Sequence, residues 1–225
     1  MAFDNLVSGG SPYGASSRNP FNYVKFEQIN RDVTTTAWLT LEEMTQQLNL
    51  FNDESQDSYI TSLGLATRFA IEDYLGLSIF ATTYRVWYSP IGLITSPVSL
   101  DLPEVSQNSS PSLSGVTVNS VGYWNENSPS TFTTISSGNY SYDASGNKII
   151  MSELPSDINT FMTAPIVVEY TTAANPIQTY PVVKQAALLL LTHLYNQRSN
   201  STETQLKNIP FGVETLLRPY KPLVM

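Results

Sequence analysis

The chain has 225 residues, no cysteine and a formal net charge of −8, and 13% of its residues are charged while 11% are aromatic. The absence of cysteine excludes disulfides, thiolate metal sites and cysteine nucleophiles, and the acidic balance argues against general binding to nucleic-acid backbones. The first residues lack the basic and apolar regions of a signal peptide, and no apolar run approaches the length of a membrane span, so we expect no membrane partner.

The charges are distributed unevenly along the chain. Residues 1–39 are neutral, residues 40–100 carry seven acids and two bases, and residues 101–180 carry seven acids and one base. Residues 181–225 carry two acids and five bases, so the end of the chain is opposite in sign to its body. The low share of charged residues has two interpretations: a surface largely covered by partner proteins, or a β-rich protein with many polar turns.

In chain order, residues 1–37 contain the small, polar stretch SGGSPYGASSRNP, which predicts an extended or flexible arm. Helical order begins at TLEEMTQQLNL, where Thr40 and Glu43 have the spacing of a capping box. The apolar face of this first helix consists of Leu41, Met44 and Leu48.

The stretch SQDSYITSLGLATRFAIEDYLG predicts a second helix, because its apolar residues recur at helical spacing. Gly76 is placed to end this helix in a left-handed conformation. Gly64, inside the helix, either costs about 1 kcal/mol or permits another helix to come close.

After Gly76 the period of the apolar residues changes from 3.6 to 2, as expected for strands. The stretches ATTYRVWYSP, SPVSLDLPEV, SGVTVNSVGYW, STFTTI and APIVVEYTTA predict short strands. NYSYDASGNKIIM predicts a hairpin with its turn at Asp143 to Asn147. Residues 78–172 therefore form a β-module of about six or seven strands between helical segments.

The stretch PVVKQAALLLLTHLYNQRS predicts a third helix that begins at Pro181 and has Arg198 in its last turn. Leu188 to Leu191 make this helix apolar on most sides, so we expect it to be widely buried. NIPFGVETLLRPYK then predicts a short helix that Pro219 stops after about two turns, and so short a helix needs a surface on which to dock.

Three of these segments, WLTLEEMTQQLNL, ALLLLTHLYNQR and IPFGVETLLRPYK, follow one another in an informative order. Together they resemble the head-to-tail connector, or adaptor, proteins of tailed bacteriophages, in which a β-rich insertion separates the first two segments. In the last segment Ile209 replaces the usual Leu and Lys221 the usual Arg. The matching positions are Leu41, Glu42, Glu43, Leu48, Leu189 to Leu191, His193, Tyr195, Arg198, Pro210 to Glu214, Leu216, Leu217, Pro219 and Tyr220.

The resemblance implies a structural virion protein that assembles as a homo-oligomeric ring, commonly a dodecamer, below the portal protein. It implies that the ring continues the DNA channel, offers the attachment site for a tail-side neck or tail protein, and lets genomic DNA pass without sequence recognition. The expected location is the neck of the virion, after assembly in the host cytoplasm. Acidic residues that lined such a channel would repel the DNA backbone and let it slide.

Catalytic chemistry finds little support in the sequence, and we expect neither enzymatic activity nor a cofactor. His193 is the only histidine, and it lies in an apolar helix without a nucleophile motif, so we interpret it as a packing residue. One histidine and no cysteine also offer too few ligands for a typical zinc site, so we expect no metal. Glu72 and Asp73 are adjacent on a helix and point about 100° apart, which favours a solvated helix face over an acid/base pair.

The aromatic residues of the β-module leave two interpretations open. They line a platform for a sugar, or they belong to the sheet core and to subunit contacts, which we favour. Two alternatives to an adaptor remain open: another neck or tail-completion protein, such as a stopper, and a carbohydrate-binding β-module on a helical stem. The residues concerned are Trp87, Tyr88, Tyr123, Trp124, Tyr140 and Tyr142.

These observations predict an α+β protein: a small helical bundle with an inserted antiparallel β-sandwich-like or barrel-like module. We divide the chain into an arm at 1–37, a helical ring-forming domain at 38–77 and 176–225, and a β-module at 78–175. The carboxy-terminal segment has two possible docking surfaces, the third helix of its own chain or a neighbouring subunit or the portal. We favour the second, because the segment is apolar and opposite in charge to the body. The interface candidates are Leu190, Phe211, Val213, Leu216, Leu217, Arg218 and Tyr220.

Overall fold

The computed structural model describes residues 22–30, 37–51, 54–91, 93, 96–103, 115–197 and 211–221. The chain divides into two compact units. The β unit comprises residues 1–30 and 82–173, and the helical unit comprises residues 31–81 and 174–225. The predicted division assigned residues 1–37 to a separate arm, whereas the structure assigns residues 22–30 to the β unit.

Eight strands form two antiparallel sheets in the described part of the β unit, so the fold is α+β as predicted and the β-module is not a closed barrel. The five-stranded sheet has the order β1-β2-β8-β4-β5, and the three-stranded sheet has the order β3-β7-β6. The strands are β1 (Tyr23–Gln28), β2 (Thr83–Tyr88), β3 (Val98–Asp101), β4 (Val116–Trp124), β5 (Phe132–Thr134), β6 (Tyr140–Asp143), β7 (Lys148–Met151) and β8 (Ile166–Thr172).

The two sheets share one apolar core, as the sandwich-like prediction requires. In β2, buried and partly exposed side chains alternate, so that Tyr84, Val86 and Tyr88 face inward. The rings of Tyr84 and Tyr170 stack with their centroids 5.5 Å apart. Inward-facing residues of β3 and β7, such as Leu100 and Ile149, complete the same core from the smaller sheet.

The seven strands β2 to β8 match the six or seven predicted, and β1 is an eighth that the sequence analysis assigned to the arm. β1 pairs antiparallel with β2 along one edge of the larger sheet. The predicted hairpin turn is confirmed: β6 ends at Asp143, whose carboxylate accepts the Ser145 N–H at 2.9 Å, and Asn147 has a φ of 54°.

The helical unit contains α1 (Leu41–Gln47), α2 (Asp57–Leu75), α3 (Pro181–Asn196) and α4 (Phe211–Leu217). Three predicted boundaries are confirmed: Thr40 caps α1, Gly76 ends α2 with a φ of 67°, and α3 begins at Pro181. Arg198, which was predicted to lie in the last turn of the third helix, falls outside the described residues.

Gly64 shows why α1 and α2 pack closely. A Cβ atom at this position would lie 2.6 Å from the sulfur of Met44 on α1, so the glycine makes room for a side chain of another helix. This confirms the second of the two interpretations offered for Gly64. The core around this contact includes Leu39, Met44, Ile60, Ile71, Leu75, Val183, Leu190, Leu191, Val213 and Leu217.

Candidate functional site

The predicted capping box is present at the start of α1 and also links α1 to α3. The Thr40 hydroxyl accepts the Glu43 N–H at 3.1 Å, and the Glu43 carboxylate accepts the Thr40 N–H at 2.9 Å. The same carboxylate accepts a hydrogen bond from Lys184 of α3 at 2.7 Å. The Lys184 ammonium and the Thr40 N–H both favour the ionised form, so they hold the pKa of Glu43 below its ordinary value of 4.5.

The carboxy-terminal segment docks on α3 of its own unit. Val213 and Leu217 of α4 are 1% and 0% exposed, and both belong to the helical core. The one-turn helix Arg218–Tyr220 continues the segment, and the Tyr220 ring lies 5.5 Å from the Tyr180 ring at the start of α3. The ammonium group of Lys221 lies 4.9 Å from the centre of the Tyr74 ring on α2.

This packing corrects part of the predicted interface. Leu190, Val213 and Leu217 are enclosed by their own chain, and a fully enclosed side chain has no surface left for a second subunit. Their position in the core also explains how so short a helix is stable, since its apolar face is covered within the unit. Contact with a neighbouring subunit or the portal stays a prediction for the residues of the segment that keep exposed surface.

Three of the remaining interface candidates, Leu216, Arg218 and Tyr220, keep such surface. Arg218 is exposed, and Leu216 and Tyr220 are partly buried against the core. The side chain of Phe211 lies outside the described residues. Among the row of leucines in α3, Leu189 is 39% exposed, whereas Leu190 next to it is 1% exposed. Of these two neighbours, Leu189 is therefore the one that keeps surface for a partner.

The interpretation of Glu72 and Asp73 as a solvated face is wrong for Glu72. Glu72 is 5% exposed, accepts the Ile79 N–H at 2.9 Å and pairs with the buried Arg68 at 3.9 Å. Asp73 is exposed. The two carboxylates point in different directions, as predicted, and Glu72 serves to fix the turn that follows α2.

The structure divides the aromatic residues of the β-module between different places. Tyr88 and Tyr123 are buried in the core, and Tyr140 and Tyr142 pack at its margin. Trp87 lies on the opposite face of the sheet from Tyr88, and the Lys25 ammonium lies 4.5 Å from the centre of its ring. The Trp124 ring meets Phe132 edge-on at 5.6 Å. The six aromatic residues therefore do not form one sugar platform.

Each unit has a surface depression of its own. In the β unit, a polar cavity of about 560 Å³ is lined in part by Tyr123, Glu153 and Asp157. The Tyr123 hydroxyl donates to the Asp157 carboxylate at 2.7 Å, and this bond raises the pKa of Tyr123. In the helical unit, a cleft of about 430 Å³ has apolar walls that include Trp38 and Phe80.

Neither unit shows a grouping typical of metal binding in the part of the chain that the structure describes. No three His, Asp or Glu side chains in the described ranges lie close enough to hold a metal ion. His193 is half-buried on α3. The described helices also include none that is long and apolar enough to cross a membrane.

Some features of these surfaces were missed by sequence reasoning. The bond between Lys184 and Glu43 joins residues 141 positions apart, and no local sequence pattern predicts such a pair. Phe161 is 99% exposed in the loop before β8. Its sequence context, DINTFMTA, contains an Asn–Thr turn signal that marks a loop but not an exposed aromatic ring.

The comparisons with known proteins show the fold. No family model and no curated protein matches the chain. A chain from the neck of an empty gene transfer agent particle, computed with C6 symmetry, is 18% identical with a TM-score of 0.61. Chains from the virion of the native particle and from its neck with C12 symmetry are 17% and 16% identical, with TM-scores of 0.60 and 0.55. Each alignment covers 90% of this chain and 97% of the other, so the chain shares the whole fold of these proteins.

Proposed function

We propose that this chain is a structural virion protein of the neck, which assembles as a ring and acts as the adaptor between the portal and the tail. The observation that carries the proposal is the shared fold over 90% of the chain with proteins of gene transfer agent particles, two of them from necks. Those necks were computed with C6 and C12 symmetry. A closed ring of identical copies is the arrangement that such symmetry implies.

The three sequence segments that resemble phage adaptors support the finer assignment. The first forms α1 with its capping box, the second forms the core of α3, and the third forms α4 and the turn after it. In this chain they meet in one helical core, because Met44, Leu190 and Leu217 belong to the same cluster. Leu190 and Leu217, which are among the matching residues, thus help to form this core.

The proposed role requires no catalysis. The buried Glu72 pairs with Arg68, and the Asp157 carboxylate accepts from Tyr123, so both acids have structural partners. The proposed partners are further copies of the chain, the portal protein and a tail-side neck or tail protein.

DNA passes through the proposed ring without sequence recognition. The net charge of −8 opposes lasting contact with the phosphate backbone. Purified rings should therefore bind duplex DNA weakly even at low salt. Tight binding that falls steeply as salt is added would indicate a basic channel and would contradict this part of the proposal.

The position of the chain in the particle tests the function. Gold-labelled antibodies against the chain should bind purified particles at the junction of head and tail, and the label should remain on portal-bearing heads that lack tails. Label on the tail tip or over the head surface would contradict a neck protein. Label that is lost with a more distal neck component would identify a stopper instead of an adaptor.

A further inference from the structure

A turn holds the aromatic ring of Phe161 in the solvent at one end of the five-stranded sheet. Phe161 is 99% exposed. The Asn159 side chain accepts the Phe161 N–H at 3.0 Å, and the Asn159 N–H donates to the Trp124 carbonyl at 2.9 Å. Ile158 before it is buried in the core. The ring is therefore presented by an ordered turn and is not free to fold back on its own sheet.

Two further apolar side chains are exposed on loops at the same end. Met162 is 37% exposed and Ile91 is 86% exposed. The pairing of Tyr88 with Ile166 brings the end of β2 beside the start of β8, so the loops that carry these residues emerge together. Single exposed apolar residues are common, but these three lie on two loops that leave the same end of the sheet from neighbouring strands. We call Ile91, Phe161 and Met162 the apolar tip.

The surroundings of the apolar tip are acidic. Described residues 89–91, 93, 125–131 and 152–165 include the three acids Glu126, Glu153 and Asp157 and no lysine or arginine. The Glu126 N–H donates to the Asp157 carbonyl at 2.8 Å, so the two acidic loops are joined. A surface of this kind favours a partner site that is apolar at its centre and basic at its rim.

The cleft of the helical unit has these properties. Its walls include Trp38, Phe80 and Pro181, and its volume is about 430 Å³, while an engineered cavity of roughly 150 Å³ in another protein holds a benzene molecule. The Trp38 indole donates to the Gln178 carbonyl at 3.0 Å, which fixes one wall. Lys184 also lines the cleft, but its ammonium pairs with Glu43 at 2.7 Å, so the net positive charge of the rim must come from other residues.

Positive charge lies next to this cleft. Tyr180, which precedes the wall residue Pro181, contacts the Tyr220 ring at 5.5 Å. Arg218 and Lys221, on either side of Pro219 and Tyr220, are exposed. The cleft therefore combines aromatic walls with a basic border, and its chemistry is complementary to that of the apolar tip.

We propose that the apolar tip of one copy docks in the cleft of a second copy, with the Phe161 ring inserted between Trp38, Phe80 and Pro181. This contact rests on the proposed ring function and names the surfaces that form the ring. The apolar tip and the cleft are different surfaces, so each copy would use its tip on one neighbour and its cleft on the other. Contacts between two different surfaces close into a ring when the rotation between copies permits. A rigid aromatic side chain in a pocket is also the usual centre of a strong contact between proteins.

Engineered cysteines test the contact directly, because the chain has no cysteine of its own. The substitutions Thr160→Cys and Thr179→Cys place one thiol beside Phe161 and one on the cleft lining. Mild oxidation of the double variant should link copies into a ladder of covalent oligomers. The control pairs Thr160→Cys with Thr61→Cys, at another exposed threonine. Equal linking in the control, no linking, or a bond within a single chain would overturn the proposal.

The substitution Phe161→Ala tests this contact separately from the proposal that the chain assembles into an oligomeric ring. It should raise the concentration needed for ring assembly by roughly 30-fold or more, the range of a hot-spot residue. It should leave the melting temperature of the monomer unchanged, because the Phe161 side chain is 99% exposed in the single chain. Phe51→Ala, at another exposed phenylalanine (67% exposed), should assemble normally. If the unaltered chain forms rings and Phe161→Ala forms them equally well, the contact is refuted while the proposed function stands. If the unaltered chain forms no ring at all, the ring function fails, and this contact fails with it.

Discussion

The segments nearest the two ends of the described chain complete their units in different ways. Near the amino terminus, β1 lies at the edge of a sheet, with Val24 51% and Phe26 46% exposed. Near the carboxy terminus, Val213 and Leu217 of α4 are 1% and 0% exposed in the helical core. The first segment covers an edge of a sheet that β2, β8 and β4 already form, while the second supplies part of the core itself.

The difference shows where a terminal segment can serve a partner. A buried side chain contributes stability in proportion to the apolar area removed from water, and that area is not available to another protein. The carboxy-terminal segment therefore stabilises its own unit through Val213 and Leu217. Any contact outside the unit falls to its exposed side, which includes Arg218 and Lys221.

The largest expected effect comes from a charge placed in the helical core. Leu190→Asp should leave little soluble protein, because a carboxylate at a site that is 1% exposed lacks both water and a partner. Leu189→Asp is the matched control, since this neighbour is 39% exposed. Soluble yield and a thermal melting curve measure both. Normal yield and melting for Leu190→Asp would show that α3 is not a core helix.

Removal of α4 should have the next largest effect. A chain that ends at Lys207 loses the side chains of Val213 and Leu217, and it should melt at a clearly lower temperature or aggregate. The milder Leu217→Ala should cost about 2–5 kcal/mol of unfolding free energy. Circular dichroism during heating measures both variants. If the shortened chain keeps its spectrum and melting temperature but no longer attaches to portal-bearing heads, the segment acts on a partner. The burial of Val213 and Leu217 would then contribute little to the stability of the unit.

A substitution in β1 should reduce the free energy of unfolding much less than Leu217→Ala does. Phe26 contacts the rings of Tyr23 and Tyr84 but is 46% exposed, so Phe26→Ala removes only part of an apolar contact. We expect a loss of about 1 kcal/mol, measured by urea unfolding next to Leu217→Ala. A loss as large as that of Leu217→Ala would mean that both segments are core elements, and the contrast between the two ends would disappear.

The smallest effect concerns Glu43, which joins α1 to α3. Its folded-state pKa lies below 4.5, so its stabilisation is complete above that value and is lost as the pH falls through the lowered pKa. Lys184 and Glu43 are 33% and 35% exposed, so Glu43→Gln should cost only about 0.5 kcal/mol near neutral pH. The difference should shrink as the pH is lowered. A difference in melting temperature that stays constant with pH would exclude the ion pair as its source.

Local patterns predicted the elements that local physics determines. The capping box at Thr40, the glycine stop at Gly76, the proline start at Pro181 and the turn at Asp143 all depend on a few neighbouring residues, and all four are present. The alternation of β2 also follows from its own residues.

Features that depend on distant parts of the chain were beyond such patterns. β1 is a strand because β2 offers it an edge, although it lies within residues 1–37, which were predicted to form an arm. Glu72 can be buried because Arg68 and the Ile79 N–H offset the free-energy cost of removing its carboxylate from water. For α4, the apolar spacing was visible but its docking surface was not, since two interpretations, its own α3 or a neighbouring subunit, satisfy the same pattern.

Native mass spectrometry of the purified full chain over a range of concentrations tests the central claim, that this protein assembles through its own surfaces into a closed ring. We expect one dominant complex of fixed copy number whose share grows with concentration, without a continuing series of larger species. A chain that stays monomeric at every concentration, or that adds copies without limit, would contradict a self-assembling ring.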